Sequence, residues 1–301
     1  MSAVISTIIV NYNAGKLLRS CVDSLLNCPL DIEIIVVDNA STDNSLNSLM
    51  GLPCVQIIRN SANVGFAAAC NKGTACASAP FLLFLNPDCS FKPEALVQLL
   101  NAFGNNARAG DALVGMAGGL LVNPDGTEQA GGRRAVPTPW RSFVRAFGLA
   151  RFSDRWPRLF FDFNLHKQPL PDHAIEVEAI SGACMMVKRE AMLDVGEWDE
   201  SYFLHCEDLD WCMRFRQKGW TILFVPSAQI THALGICGRS RPVFVEWHKH
   251  KGMQRFYRKF FRHQYPGALM WLVGIGVWLR FFLVATYYSA RHVGRALKLK
   301  W

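Results

Sequence analysis

The first ninety residues repeat one pattern. Short β-branched runs, Val4–Val10, Ile32–Val37, Val55–Ile58 and Phe81–Leu85, alternate with stretches of helical spacing at Gly15–Asn27, Asn44–Met50 and Gly65–Ala77. In the first helical stretch Leu17, Leu18, Cys21, Val22, Leu25 and Leu26 fall on one face. Strands that are apolar almost throughout, with helices between them, predict an α/β protein whose mainly parallel central sheet is covered by helices on both faces. Ligands of such sheets bind beyond the carboxyl ends of the strands. Polar clusters fall there: Asn11-Tyr12-Asn13 after the first run, Asp38-Asn39-Ala40-Ser41 after the second, Asn86-Pro87-Asp88 after the fourth.

The middle of the chain is less regular. Residues 113–122 predict a strand, followed by a turn at Asn123-Pro124-Asp125-Gly126. The stretch 131–173 is rich in proline, arginine and aromatics and is expected to contain a mobile loop. Order returns at Val177–Val187, then as a helix from about Glu207 to Lys218 and a strand at Thr221–Val225.

A tail is expected from about residue 241, after a catalytic domain spanning 1–240. Met253, Phe256, Tyr257, Phe260 and Phe261 recur at i, i+3, i+4, i+7 and i+8, with Arg255, Arg258, Lys259 and Arg262 opposite, which predicts a basic amphipathic helix. Leu269–Tyr288 then supplies twenty largely apolar residues interrupted by Arg280, long enough to cross a bilayer. Both flanks are basic, and positive flanks prefer the cytoplasmic side. The tail is therefore expected to lie in the interface or to dip in and return, bending at Gly274 and Gly276. Packing of 269–288 as a buried helix is the alternative.

Charge sharpens this division. The net charge of +8 hides a tail, residues 239–301, with 13 Lys/Arg and one acid, Glu246, and a body with 19 Lys/Arg and 23 acids. The tail alone carries +12 and the body −4. A uniformly basic nucleic-acid-binding protein is disfavoured, and no nucleic-acid partner is expected; a basic membrane-attachment segment is favoured. Half the residues are hydrophobic and mean hydropathy is +0.12, which excludes an intrinsically disordered chain. The N-terminal run meets Asn11-Tyr12-Asn13 without a basic leader and reads as a buried strand, not a signal peptide. Ten cysteines without a Cys-x-x-Cys pair suggest a reducing cytosol.

Two nucleotide signatures are missing. No G-x-G-x-x-G follows the first run and there is no G-x-x-x-x-G-K-[ST], so dehydrogenase and P-loop chemistry lose their support. The ligand end of the sheet offers carboxylates and amides instead. Carboxylates would repel a diphosphate unless a divalent cation lay between them. Asp88, an acid at the end of an apolar strand and stiffened by Pro87, leads the candidates for holding that cation; Asn-Pro-Asp is also a common turn.

Five ordered motifs carry a resemblance: Thr7–Asn13 (TIIVNYN), Val36–Asp43 (VVDNASTD), Asn60–Gly73 (NSANVGFAAACNKG), Leu85–Asp88 (LNPD) and Glu207–Trp211 (EDLDW). Across roughly residues 3–235 the chain resembles the family 2 glycosyltransferases, and within them a bacterial rhamnosyltransferase-like branch. The resemblance implies a GT-A fold, a nucleotide-sugar donor, a Mg or Mn divalent cation and inversion at the anomeric carbon. It places Asp38 at the nucleobase, Asn11 against the nucleoside, and Asn63 and Gly65 close to the nucleotide. Asp88 matches the last acid of the family's D-x-D element, with Asn86 where many members have Asp. Gly182 resembles a segment beside the donor sugar. His232 matches a histidine that completes the metal shell in parts of the superfamily; a satisfied core histidine is the other reading. Glu207 and Asp208 match an acidic pair near the acceptor, Asp208 as general base and Glu207 orienting it or binding acceptor hydroxyls. Arg133 and Arg134 are read as solvated loop charges in preference to a diphosphate clamp.

These readings add up to an enzyme of cell-surface polysaccharide synthesis. It would use dTDP-rhamnose first among donors, with UDP-sugars possible, and a glycan or polyprenyl-diphosphate-linked acceptor. It would attach peripherally to the cytoplasmic face of the inner membrane. A catalytically silent GT-A-like binding module tethered to membranes is the alternative.

Overall fold

The four apolar runs pair side by side and in parallel. They form β1 (Ile5–Asn11), β2 (Ile32–Asp38), β3 (Val55–Arg59) and β4 (Phe81–Leu85) of a computed structural model that describes residues 3–104, 108–109, 112–233 and 241–298. Helices α1 (Lys16–Leu26) and α2 (Phe66–Cys76) make the crossovers after β1 and β3; the third expected helix is a short 3-10 turn at Ser45–Leu49. Because side chains alternate across a strand, β1 sends Ile5 and Ile9 to one face and Ile8 and Val10 to the other. Each face has its own core, one under α1 and the other under α2, so an apolar residue at nearly every strand position is what this architecture requires.

Beyond β4 the sheet becomes mixed. Strand β5 (Cys89–Phe91) leads into α3 (Pro93–Asn101), a helix not anticipated from the sequence. The two-residue β6 (Arg108–Ala109) pairs with β7 (Ala112–Val122), and β8 (Arg133–Arg134) pairs with β10 (Ala179–Ile180) in a small separate ladder. The stretch 131–173, expected to contain a mobile loop, holds α4 (Pro139–Ala146) and two 3-10 turns. Strand β9 (Ile175–Glu176) precedes β10, then come β11 (Cys184–Lys188), the unforeseen α5 (Arg189–Val195), α6 (Glu207–Gln217) and β12 (Thr221–His232). The strand order is β3-β2-β1-β4-β11-β7-β12-β5, with β11 antiparallel to both its neighbours. Strand β12 runs past its expected end at Val225; a register shift between Val225 and Gln229 carries it on to His232.

The tail departs from expectation in two ways. The boundary expected near 240 falls at 234–240, outside the described residues. Helix α7 (Pro242–Phe261) turns Phe256, Tyr257, Phe260 and Phe261 into the same core as α2 and α6, so that apolar stripe faces protein, not lipid. Its basic face is partly spent internally: Arg255 lies 2.9 Å and Lys259 2.8 Å from Asp199. Helix α8 (Gly267–Lys298) runs unbroken through Gly274 and Gly276, so the chain does not turn back there. Gly274 serves a close approach instead: a Cβ would sit 3.1 Å from the amide of Gln254 on α7. Arg280 reaches back to His250 (3.3 Å), a buried histidine whose pKa burial lowers. The 25-residue stretch Gly267–Arg291 is long and apolar enough to cross a membrane, and little of it is covered by the rest of the chain.

Candidate active site

The carboxyl ends of β1 and β2 meet through side chains. Asn11, fully buried, donates from Nδ2 to Asp38 Oδ1 (2.7 Å) and to Ser45 Oγ (2.9 Å). Asp38 Oδ2 accepts from the Ser41 backbone N–H (3.2 Å), and Asp43 accepts from the Ser45 backbone N–H at 3.1 Å just ahead of the following 3-10 turn. The neighbouring Asn39, which no sequence argument singled out, ties the next loop down. Its Nδ2 donates to Asn63 Oδ1 (2.9 Å), and its Oδ1 accepts from Asn60 (3.1 Å) and from the Val64 N–H (3.1 Å). Gly65 follows at φ +90, where a Cβ would sit 2.8 Å from the Phe203 carbonyl oxygen. Only glycine allows both that backbone and that contact. The Phe66 N–H donates to the same carbonyl (2.8 Å), joining the start of α2 to the segment that leads into α6.

A second cluster forms where β4 and β12 end. His232 Nε2 lies 3.2 Å from Asp88 Oδ1 and 3.4 Å from the Asn86 amide, and both Asp88 and His232 are buried. Cys89 falls in the same cluster, but its Sγ contacts the Ala183 carbonyl (3.4 Å) and burial first of all drives its thiol pKa well above the ordinary value. His232 Nδ1 lies 2.6 Å from Gln129 Oε1, while Gln129 Nε2 donates to the His232 carbonyl (3.3 Å) and to Asn123 (3.0 Å). With the proton on Nδ1, the lone pair of Nε2 faces Asp88, the arrangement a metal-binding imidazole needs. Sequence reasoning missed Gln129; its place after the turn at 123–126 was the only signal.

The third cluster is on α6. Glu207 and Asp208 open the helix, after two residues with left-handed backbone, His205 (φ 67) and Cys206 (φ 70). Their surroundings differ. Glu207 is buried, its Oε2 has no hydrogen-bond partner, and its pKa is pushed up to about 8 by burial first and the charge of Asp208 second. Asp208 is more open and accepts through Oδ2 from the Gly182 N–H (3.1 Å) and from Arg134. Two carboxylates whose environments separate them in this way can take different roles. Arg134 is therefore no solvated loop charge. Arg133 is not one either: it is buried, lies 2.8 Å from Glu128, donates to the Gln168 carbonyl (2.8 Å), and stays out of the site.

Contacts connect the three clusters along one rim. Gly65 meets Phe203, which precedes Glu207 and Asp208; Asp208 meets Gly182; the Asn86 N–H donates to the Ala183 carbonyl (2.9 Å); Asn86 and Asp88 meet His232. The nine residues in this circuit come from five stretches of sequence, and the Gly182-Ala183 pair that leads into β11, itself paired with β4, links the Asn86–Asp88 end to the acidic pair.

The whole arrangement has relatives. Residues 6–192 match the family model for Glycosyl transferase family 2, and residues 130–293 match that for Glycosyl transferase family group 2. The chain belongs to glycosyl transferase family 2 and is a glycosyltransferase. It is 29% identical over 245 residues to the N-acetylglucosaminyl-diphospho-decaprenol L-rhamnosyltransferase of Mycobacterium tuberculosis, covering 77% of this chain and 76% of that one. It is 24% identical over 269 residues to the dTDP-rhamnosyl transferase RfbF of Shigella flexneri, covering 86% and 78%. Among solved structures it is similar to the mannosyltransferase PcManGT of Pyrobaculum calidifontis in complex with GDP-Man and Mn2+, with a TM-score of 0.57 at 14% identity over 99% of this chain and 81% of that one. The fold is GT-A, and the rhamnosyltransferase-like branch is the right one.

Proposed function

We propose that the chain is an inverting, divalent-cation-dependent glycosyltransferase that moves rhamnose from dTDP-rhamnose to a hydroxyl of a lipid-linked glycan. The observation that carries this reading is the rim on which Asp88 and His232 lie on one side of Gly182 and Asp208 on the other. A donor lying along it has its diphosphate at the first pair and its sugar at Gly182.

Asp88 and His232 are the residues that would hold the cation, Mg or Mn. The Gln129 contact fits them for it, because it fixes the imidazole with Nε2 free. A bound cation would offset the negative charge of the departing diphosphate. Asn11, Asp38, Asn63 and Gly65 hold the nucleoside end. Asp208 takes the proton from the acceptor hydroxyl as that oxygen bonds to the anomeric carbon and the bond to the diphosphate breaks. One displacement inverts the anomeric centre. Glu207, whose pKa is raised by burial and by the charge of Asp208, orients Asp208 or binds an acceptor hydroxyl.

The donor and acceptor are carried from the relatives: the mycobacterial protein is an N-acetylglucosaminyl-diphospho-decaprenol L-rhamnosyltransferase and the Shigella protein a dTDP-rhamnosyl transferase. UDP-sugars are the second donor class to test. The exposed apolar α8 supports peripheral attachment to the cytoplasmic face of the inner membrane, where a cytosolic donor meets a lipid-borne acceptor in polysaccharide synthesis. In this division 1–240 is the catalytic domain and 241–301 the attachment segment, with α7 as its packed root. A panel of dTDP-rhamnose and UDP-sugars, assayed for nucleoside diphosphate release with Mg or Mn and after EDTA, tests the reading. Release from dTDP-rhamnose that EDTA abolishes is expected; no release from any donor would favour the silent binding module.

A further inference from the structure

Helix α4 is an amphipathic helix turned inside out. Trp140, Phe143 and Phe147 recur at i, i+3 and i+7, and all three are exposed, Phe147 by 67%. The arginines between them are engaged by the body of the protein: Arg141 lies 2.8 Å from Glu178 and Arg145 lies 2.9 Å from Asp162. Surface helices ordinarily do the reverse. The rings support one another, with centroids 5.5 Å apart for Trp140–Phe143 and 4.5 Å for Phe143–Phe147. The pattern continues past the helix, where Phe152, Trp156 and Leu159 are exposed as well. A contiguous apolar surface of this kind marks an interaction site.

Charge and position together indicate what covers it. Residues 139–160 carry five arginines and one acid, Asp154. Arg151, Arg155 and Arg158 are exposed, and no ion pair of theirs is found among the described residues. The guanidinium groups of Arg151 and Arg155 lie over the rings of Phe152 (4.8 Å) and Trp156 (5.4 Å). Tryptophan and phenylalanine edged by arginine suit the headgroup level of an anionic bilayer. The patch also reaches the residue that leads into α8. An open groove of about 460 Å³ lies in the patch, lined by Trp140, Arg158, Leu159 and by Tyr265, which stands just before α8. Tyr257 of α7 donates to Ser142 Oγ of α4 (2.7 Å) and fixes the arrangement. The patch is thus anchored to α7 and lies against the residue that leads into the exposed apolar helix α8.

We propose that residues 139–160 form a second membrane-contacting element, seated on an anionic bilayer beside α8. The proposal rests on the reading of the acceptor as lipid-linked and gives it a geometry. Arg134, the partner of Asp208, stands four residues before Thr138 at the start of α4, so the two lie at most about 14 Å apart along the chain. A bilayer on α4 brings a lipid-linked hydroxyl to the acidic end of the rim.

Vesicle flotation of the full chain tests it, with vesicles of phosphatidylcholine alone and of equal parts phosphatidylcholine and phosphatidylglycerol. The triple substitution Phe143→Ser, Phe147→Ser, Trp156→Ser is expected to lower partitioning onto both by roughly tenfold or more. Arg151→Gln, Arg155→Gln, Arg158→Gln in one chain is expected to lower it by roughly fivefold per arginine on the anionic vesicles and hardly at all on the neutral ones. Nucleoside diphosphate release with a detergent-solubilised short-chain acceptor should remain in both variants, which separates this proposal from the transferase reading. Wild-type partitioning by both folded variants overturns it, as does an aromatic variant that loses self-association in sedimentation while floating unchanged.

Discussion

Lys259 of α7 lies 2.6 Å from Asp210, a carboxylate on α6 with no exposed surface. Asp210 is two residues from the acidic pair's Asp208, and its other oxygen meets Arg214 at 2.7 Å. The root of the attachment segment thus neutralises a buried charge on the helix that carries the acceptor-side acids. Replacing Lys259 by Gln leaves that charge with one partner, at an expected cost of about 2 kcal/mol. Urea unfolding should show a lowered midpoint at an unchanged slope; an unchanged midpoint would mean that Arg214 suffices.

The packing of α7 also relocates the useful truncation. A chain ending after Pro266 keeps Phe256, Tyr257, Phe260 and Phe261 in the core and loses only α8, so it should stay folded and become less membrane-bound. A chain ending at 240 removes four buried aromatic residues and should fail to fold stably, because each contributes on the order of 1.5–3 kcal/mol. Equal solubility and cooperative melting of both truncations would contradict the packing.

Glu207 makes stability fall as pH rises. Its folded-state pKa is raised to about 8 against an ordinary 4.5, so between these values the unfolded chain has released a proton that the folded chain still holds. Stability contributed by this group therefore declines from about pH 4.5 to about pH 8 and is level above that. Glu207→Gln mimics the protonated form and removes the decline. Its thermal midpoint relative to the wild type should be higher at pH 8 than at pH 5; the opposite ordering would show that Glu207 is ionised in the fold.

Gln129 touches no reacting atom, yet it fixes the ring of His232. Outer contacts of this kind are typically worth about 10- to 100-fold in metal affinity. Gln129→Ala should raise the Mg or Mn concentration for half-maximal turnover by that factor while leaving the donor requirement at saturating metal nearly unchanged. A metal requirement equal to the wild type's would remove His232 from the cation site.

The parallel half of the fold was legible because its strands are apolar on both faces, a pattern only a covered sheet produces, and the rim was legible because its polar residues stop those strands abruptly. What was hidden depends on partners distant in sequence. Arg134 looks like any loop arginine until β8 and β10 bring it to Asp208. Asn39 lies inside a motif and Gln129 in none, but neither carries a charge, and their importance lies in the loops they tie. The stripe at 253–261 has the same spacing whether lipid or protein covers it, so periodicity found the helix but not its neighbour. The segment 131–173 conceals α4 because a helix with aromatics outward and arginines inward does not show the ordinary pattern.

The central claim is that Asp208 removes the proton from the acceptor as the sugar is transferred. Its most direct test compares wild type and Asp208→Asn in single-turnover transfer of rhamnose from dTDP-rhamnose to a polyprenyl-diphosphate-linked acceptor, with donor binding measured on the same preparations. The account predicts a loss of about 10² to 10⁴ in the transfer rate, with donor binding nearly intact and an inverted product for the wild type. Transfer by Asp208→Asn within a few-fold of the wild type would contradict it.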